Sequence, residues 1–456
     1  MNKLSRASFF LSLFIALIFP VKFAGADVGP THYNGGTQKK ATSTQRSKPQ
    51  VTQQPVMPAP VKKQPVKKQV EPAAEEENKE SKPWFDLGAI QEQLTRQSFQ
   101  IHPRVRTDYT LDDNVLLEAK DEKMDSIFRE VPGVSLTIPF LDHYFKADYE
   151  AAFEQFVKFP RENHIDQNLK SEVALNFTNM YIHADEQLSH TSSRSGTTLT
   201  DRVARLENKM DSVVGYKFNR FTLEGGYDYF IRDFDNAGFR SLNYSARTFH
   251  ERVLMDLTSS GKTKVFVEHA LTTYNYWKDA SRDGMGNKYL AGITGDFFPK
   301  TTLYSKFGYE HIDYEHAGNA DNFIAEVGAL YKPLAKTAID LGWISDTPQS
   351  TYSTTTYFKE NKLFVRVRQG LTDKLSAESN FSYTRQRYEQ DGTAGPGIFV
   401  NRKRNDDLIT TDIKLIYQFN KWVSGDIKYQ LNRRNSNASP FDYTDNLMTV
   451  GLASEI

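Results

Sequence analysis

Polar and apolar residues alternate strictly in the last fifty residues of the chain. Odd positions are mainly apolar and even positions mainly polar over Ile409–Phe419, and the same alternation resumes over Val423–Leu431 after the dipeptide Asn420-Lys421. A period of two predicts strands, and this spacing predicts a β-hairpin. A soluble antiparallel sheet turns its apolar face to a core, whereas a transmembrane barrel turns it to lipid and its charges to a lumen.

The same unit repeats from about Ser98 to Ile456: an alternating segment, a short turn, a second alternating segment and a longer polar loop. The short turns are predicted at 141–143, 178–180, 219–220, 259–262, 299–300, 332–334, 372–374 and 420–421. The longer loops are predicted near 111–123, 158–165, 190–204, 234–246, 276–286, 315–320, 347–354, 388–405 and 434–442.

Eight short turns and nine longer loops join eighteen strands. Such separation of short from long connections is typical of bacterial outer-membrane barrels. The predicted fold is therefore all-β: a single transmembrane up-and-down antiparallel β-barrel of about 18 strands. Its final strand, Leu447–Ile456, is expected to pair with the first, near Phe99–Tyr109, because closure removes both sheet edges.

Aromatic residues recur where predicted strands meet the short turns. At this depth a ring lies among lipid headgroups, so the repeated placement predicts an aromatic girdle at one end of the barrel. The residues are Phe140, Phe177, Phe218, Phe297, Phe298, Tyr331 and Phe419.

The N-terminal quarter of the chain differs from this repeat. Residues 1–26 have a basic start, a short apolar run and small residues before Asp27, which predicts a secretory signal peptide. Residues 27–82 are rich in Lys, Gln, Pro and Glu and predict a disordered periplasmic tail. Residues 83–97 allow a short amphipathic helix, and 98–456 form the barrel domain.

The amino-acid composition is consistent with this interpretation. The 456 residues carry a formal net charge of zero and contain no cysteine, which disfavours nucleic-acid binding and excludes disulfides and thiolate metal sites. Aromatic residues make up 13% of the chain, a generous share for a mean hydropathy of −0.58, and this profile is typical of outer-membrane barrels. The predicted location is the outer membrane, with lipid as a partner.

In-facing charges along the predicted strands nearly balance, which predicts a polar lumen with weak ion selectivity. The candidate lumen residues are Arg104, Arg106, Lys306, Glu310, Lys362, Arg366, Arg368, Glu378, Asp412, Lys414, Asp426 and Lys428. Lys362, Arg366 and Arg368 form a local basic excess, either an anion-attracting strip or the basic half of cross-strand ion pairs. The glycine-rich loop 388–405, with Arg402, Lys403 and Arg404, is the candidate for folding inward as a constriction.

The sequence offers no catalytic, cofactor or metal constellation. Histidines fall singly, without ligand spacing or a neighbouring nucleophile. Strand alternation sends Glu310 and His311 to opposite faces. The chain is therefore predicted not to be an enzyme; a surface protease or phospholipase barrel would need Ser, His and a carboxylate converging at one rim.

Two segments resemble the outer-membrane β-barrel porins that are often encoded beside exopolysaccharide synthesis genes. Asp112-Asp113-Asn114-Val115, followed by the strand at Val131–Leu136, is similar to that family's first hairpin. The segment Ser436–Asn446, followed by Val450-Gly451-Leu452, is similar to its closing loop and last strand. The resemblance implies an outer-membrane location, no catalytic residues, and a role in passing polysaccharide across the membrane. The chain departs from such barrels in ending on Ile456 rather than on an aromatic residue.

The sequence thus predicts a passive channel. Secreted polysaccharide is the first expected cargo, and small polar solutes passing through a general diffusion porin are the second. A non-conducting adhesin or scaffold barrel, plugged by the 84–96 segment or by side chains, is the alternative of another class. The expected partners are the barrel-assembly machinery, polysaccharide and periplasmic export components, and no nucleic acid.

Overall fold

The computed structural model describes residues 99–194, 202–316, 318–351, 355–393, 399–438 and 441–456, and side chains within these ranges except those of 389–393 and 399–402. The predicted signal peptide, tail and amphipathic segment lie outside these residues. Within the described ranges, no helix is long and apolar enough to cross a membrane.

Eighteen strands make up the barrel. They are β1 (Gln100–Asp112), β2 (Asp125–Phe140), β3 (His143–Phe156), β4 (His164–Asn176), β5 (Met180–Thr191), β6 (Arg205–Phe218), β7 (Phe221–Phe234), β8 (Tyr244–Asp256), β9 (Thr263–Tyr276), β10 (Gly284–Phe298), β11 (Thr301–Tyr314), β12 (Gly318–Tyr331), β13 (Thr337–Asp346), β14 (Phe358–Gly370), β15 (Leu375–Thr393), β16 (Phe399–Gln418), β17 (Val423–Ser436) and β18 (Tyr443–Glu455). Short 3-10 helices occupy Pro160–Glu162, Ala237–Leu242 and Ala280–Arg282.

Each strand pairs antiparallel with its neighbours in sequence, and β1 also pairs with β18. At the seam Tyr109 lies opposite Phe128 on β2 and opposite Val450 on β18. The closed barrel of eighteen strands and the pairing of the first strand with the last are therefore confirmed. Closure leaves neither terminal strand with an unpaired edge.

The connections differ in length at the two ends. Eight turns lie at one end of the barrel, the first of them at 141–142. They range from two residues, as at 219–220, to six, at 257–262. The nine loops at the other end reach thirteen residues at 192–204, although the loop at 315–317 has only three. Following the usual orientation of such barrels, we refer to the turn end as periplasmic and the loop end as extracellular.

The predicted bounds of loop 388–405 are wrong. β15 continues to Thr393 and β16 begins at Phe399, with Arg387 opposite Asn405 in the ladder. The ladder can continue beyond the lipid-facing part of the strands because pairing satisfies the backbone hydrogen bonds of both strands. Arg402, Lys403 and Arg404 thus lie in a strand, and the tip at 394–398 lies outside the described residues.

Large apolar side chains cover the outer face of the barrel. Ile413, Leu415, Ile427, Val450 and Leu452 are each about half exposed and alternate with polar residues that face inward. Of the seven aromatic residues predicted for the girdle, six are exposed at the turn ends and Phe140 is only partly exposed: the six are Phe177, Phe218, Phe297, Phe298, Tyr331 and Phe419. That these rings lie among lipid headgroups stays a prediction. The buried apolar clusters instead lie near the loop ends, one around Ile312 and Tyr314, a second around Val115 and Phe156, and a third around Phe234.

Candidate channel lumen

Charged side chains occupy the strand face opposite to the exposed apolar residues, which is the inner face of the barrel. Lys414, for example, lies between the outward side chains of Ile413 and Leu415. By the same alternation the inner face carries Arg104, Arg106, Lys306, Glu310, Lys362, Arg366, Arg368, Glu378, Asp412, Lys414, Asp426 and Lys428. That each of them lines a water-filled path stays a prediction.

Ion pairs cross the closing seam on this face. The Nη1 atom of Arg106 lies 2.7 Å from Oδ1 of Asp426 on β17, and its Nη2 atom lies 2.6 Å from Oδ1 of Asp108. The side chain reaches β17 by passing over Gly451 of β18, where an added Cβ would lie 2.3 Å from Nη2. Lys414 also reaches Asp426, at 3.5 Å. Glycine at 451 is thus what allows one arginine to bridge across β18 at the seam.

Arg104 makes a similar bridge on the other side of β1. Its guanidinium passes over Gly133 of β2 and donates to Asp148 and Ser135, with Nη1 2.5 Å from Oδ2 of Asp148. Its Nη2 atom lies 3.3 Å from Glu150. The basic groups at the seam are therefore matched by carboxylates within hydrogen-bond reach.

Two of the three basic residues predicted as a local excess on β14, Arg366 and Arg368, are similarly matched. Arg366 Nη1 lies 3.1 Å from Oδ2 of Asp340 on β13, and Arg368 Nε lies 2.8 Å from Oε1 of Glu378 on β15. Of the two interpretations, this geometry favours cross-strand pairing over an anion-attracting strip.

Most of the other candidate charges have partners on the inner face as well. Lys306 pairs with Glu326 at 2.9 Å, and Glu310 pairs with Lys288 at 3.0 Å. Asp412 accepts a hydrogen bond from Asn380 (2.9 Å), and Lys428 donates to Gln430 (2.7 Å). A wall on which acidic and basic groups nearly balance presents little net field to a passing ion, as expected for weak selectivity.

The described residues of the loop 347–357, between β13 and β14, pack against the inner face of β9–β12. The Tyr357 ring stacks on Tyr314 with centroids 5.7 Å apart, in a cluster with Ile312 and Ala320. Arg282, in the 3-10 helix between β9 and β10, donates to the Ser350 carbonyl oxygen (2.7 Å). Because Ile312, Tyr314 and Ala320 face inward, this loop narrows the lumen at its extracellular end. The sequence analysis predicted a loop here but did not predict that it packs inward.

The loop 192–204 approaches the opposite wall. Arg194 donates to the Val115 carbonyl oxygen in the β1–β2 loop, and the Arg202 guanidinium lies 4.9 Å above the ring of the inward-facing Phe156. Burial, followed by the positive charge of Arg202, lowers the pKa of Arg194 to about 10. The described ends of this loop therefore cross the inner side of β3 and β4 and narrow the mouth from a second direction.

A third group of buried charges lies at the loop ends of β15–β17. Asp406 and Arg434 are both fully buried, and their Oδ2 and Nε atoms lie 3.6 Å apart. Arg404 donates from Nε to Oδ1 of Asp406 (2.9 Å), and its guanidinium lies 3.5 Å above the Phe441 ring. Arg404 thus serves as part of a packed inner wall, whereas the side chain of Arg402 lies outside the described ones. That the 388–405 segment forms a constriction stays a prediction.

Aromatic rings on the turn half of the inner face lie close against glycines of the adjacent strand. The ring of Tyr304 covers Gly328, where an added Cβ would lie 2.1 Å from the hydroxyl oxygen, and Phe364 covers Gly342 in the same way. Arg366 then lies 4.5 Å above the Phe364 ring. A ring seated over glycine projects less into the lumen than it would over a larger residue.

His311 lies on the outer face, where its Nδ1 atom is 2.7 Å from Oδ1 of Asp321. Glu310, its neighbour in sequence, is buried on the inner face beside Lys288. The two side chains therefore do not share a site.

The sequence from residue 96 to residue 456 matches the family model described as "Putative beta-barrel porin 2". The chain belongs to this family. It is accordingly an outer-membrane β-barrel channel of the porin type. A search of the curated proteins gives no match.

Solved outer-membrane proteins are similar to this porin only at low sequence identity and with TM-scores below 0.5. OccK3 (OpdO) of Pseudomonas aeruginosa is 12% identical, with a TM-score of 0.44, 81% of this chain covered and 99% of that one. The BenF-like porin of Pseudomonas fluorescens Pf-5 is 10% identical, with a TM-score of 0.43 and 79% and 99% covered. The siderophore receptor PirA of Pseudomonas aeruginosa is 8% identical, with a TM-score of 0.41 and 78% and 80% covered.

Proposed function

We propose that this porin is a passive diffusion channel for small polar solutes with weak ion selectivity. The observation that carries the proposal is the packing of loop 347–357 on the inner face, with Tyr357 stacked on Tyr314 and Arg282 holding the loop backbone. An inward-packed loop sets an upper size for a solute. The matched charges of the wall favour neither cations nor anions strongly.

Exopolysaccharide export is the second candidate, implied by the family resemblance. Inward-facing aromatic rings support it, because a sugar ring packs well on an aromatic face. Tyr144, Tyr181 and Tyr304 lie on the turn half of the wall. Two of their hydroxyls donate to carboxylates, Tyr144 to Glu172 and Tyr181 to Glu224. A polymer would nevertheless have to pass the loops at the extracellular mouth.

Solute uptake by liposomes containing the purified porin separates the two candidates. Swelling that is fast in a monosaccharide and falls steeply from disaccharide to tetrasaccharide supports diffusion of small solutes. Swelling that depends little on oligosaccharide length, together with loss of secreted polysaccharide in a deletion strain, would favour export and contradict the first proposal.

A further inference from the structure

The outer face of the barrel carries ionisable side chains at one sector, formed by β5–β9. Glu186 faces outward on β5 between Ala184 and Leu188, and Glu251 faces outward on β8 between Phe249 and Val253. On β8, Met255 lies two positions beyond Val253 and opposite Phe221, whose ring stacks on that of the girdle residue Phe218. Strands tilted by about 45° rise roughly 2.4 Å per residue along the membrane normal, so Glu251 lies about 10 Å above this girdle, within the hydrocarbon layer.

Both carboxylates have polar neighbours on the adjacent strand. The Glu251 side chain is 73% exposed, and its Oε1 atom lies 3.3 Å from Nδ1 of His269 on β9. The His269 ring stacks on Tyr289 with centroids 4.8 Å apart. Asn208 of β6 donates to Oε1 of Glu186 (3.1 Å). The sector thus offers both acceptors and donors on an outer surface.

The opposite sector, β14–β18, has a different outer face. Its outward positions between the two ends carry residues such as Leu363, Phe381, Ile413, Ile427 and Val450, each 44–56% exposed. Among the described residues of that sector, outward charges first appear next to the loops, at Lys359, Arg385, Asp407 and Arg433. The lipid-facing wall of β14–β18 is therefore built without mid-membrane charges, and the β5–β9 sector differs from it.

A carboxylate that faces acyl chains is costly, and such residues in membrane segments normally face protein or water. Gly225 lies opposite Glu251 on β7, and a Cβ added there would meet no atom within 4 Å, which leaves an open notch beside the carboxylate. Glu251 and His269 are one strand apart and complementary in hydrogen bonding, because a carboxylate accepts the hydrogen bond that an imidazole N–H donates. A two-fold axis normal to the membrane would place each of them against the other residue of a second copy.

We infer that the outer face of β5–β9 is the contact surface of a dimer of this chain, in which Glu251 of each copy meets His269 of the other. The occupant is a second copy because the sector is self-complementary, as a two-fold interface requires. The lipid-facing surface of each copy would then be the aliphatic sector of β14–β18. This inference is independent of the cargo of the channel.

Cross-linking in native outer membranes tests it, since the chain has no cysteine and single cysteines can be introduced. Val253→Cys lies beside Glu251, and Leu415→Cys is the matched control, an outward position of similar exposure on β16. A short bismaleimide should join two copies of the Val253→Cys chain and leave the Leu415→Cys chain as monomer. Equal dimer yields from both variants, no dimer from either, or a product with a different protein would overturn the inference.

Glu251→Leu combined with Val253→Cys provides the second test, read after heat-modified mobility on gels shows that the barrel is folded. The dimer inference predicts loss of the cross-linked product to the level of the Leu415→Cys control. If Glu251 faces lipid, leucine should leave cross-linking unchanged and raise the unfolding temperature, and that outcome would overturn the inference.

Discussion

The inner wall differs between its extracellular and periplasmic ends. At the loop ends, Glu310, Glu360, Asp406 and Arg434 are at most 1% exposed and lie beneath or against packed segments. At the turn end, the Arg368 side chain is 73% exposed although it pairs with Glu378. Both ends carry ion pairs, but the pairs at the loop ends are buried and those at the turn end are exposed. We therefore expect the extracellular half to limit the aperture and the periplasmic half to be the part of the wall that contacts passing ions.

Removal of the inward-packed loop should have the largest effect on conductance. Replacing residues 348–356 by two glycines removes the segment that Tyr357 and Arg282 hold on the inner face. Because the narrowest part of a pore dominates its resistance, single-channel conductance should rise by at least about twofold. Shortening the periplasmic turn 257–262 is the control, and it should leave conductance unchanged. An equal change in conductance from the two deletions would contradict the claim that the extracellular end limits the aperture.

Stability should also separate the ends. Asp406→Asn removes the carboxylate that contacts the buried guanidinium groups of Arg404 and Arg434, and should cost about 3–5 kcal/mol of unfolding free energy. Glu378→Gln, which removes the partner of a mostly exposed arginine, should cost about 1 kcal/mol or less. Urea unfolding in lipid vesicles measures both. Comparable losses would show that the extracellular charges are as hydrated as the periplasmic ones.

Ion selectivity should respond to the periplasmic pairs. Asp340→Asn together with Glu378→Gln leaves Arg366 and Arg368 unmatched on a hydrated wall. The reversal potential in a salt gradient should move toward anion preference, by roughly twofold in permeability ratio. Asp373→Asn, at an exposed periplasmic turn, removes a carboxylate outside the lumen and serves as control. A shift in reversal potential no larger than that of the control would indicate that ions do not contact the periplasmic half of the inner wall.

The smallest effect is expected from the glycines beneath the aromatic rings. A Cβ at residue 328 would lie 2.1 Å from the Tyr304 hydroxyl, so Gly328→Ala must push this ring toward the lumen. Conductance should fall slightly, since the turn half is not the narrowest part. The double variant Gly328→Ala with Tyr304→Ala should restore it. A fall that persists in the double variant would assign the effect to the backbone rather than to the ring.

The strand count, the phase of each strand and the closure were predictable because a period-two pattern is local and each lipid-facing strand must obey it. The predicted bounds of loop 388–405 were wrong because the prediction relied on the same alternation. Beyond the membrane both faces of a hairpin meet water, and residues such as Arg387, Lys403 and Asn405 no longer alternate with apolar ones. The alternation that marks a strand is lost there although the ladder continues.

The inward course of loop 347–357 could not be predicted from alternation, because it depends on contacts with residues distant in sequence. Arg282 and Tyr314 belong to other hairpins, and nothing in their local pattern identifies the loop that packs on them. The one available signal was the concentration of inward-facing aromatic residues near the loop ends of β9 and β11, namely Tyr274, Tyr276 and Tyr314. Such rings on a water-filled wall indicate a covering partner.

Single-channel recording in planar bilayers tests the central claim most directly. The purified porin should give discrete openings with weak ion selectivity, and the chain lacking residues 348–356 should give larger openings under the same conditions. Conductance of both proteins indistinguishable from that of bare lipid would contradict the account of this barrel as an aqueous channel with an aperture set by its extracellular loops.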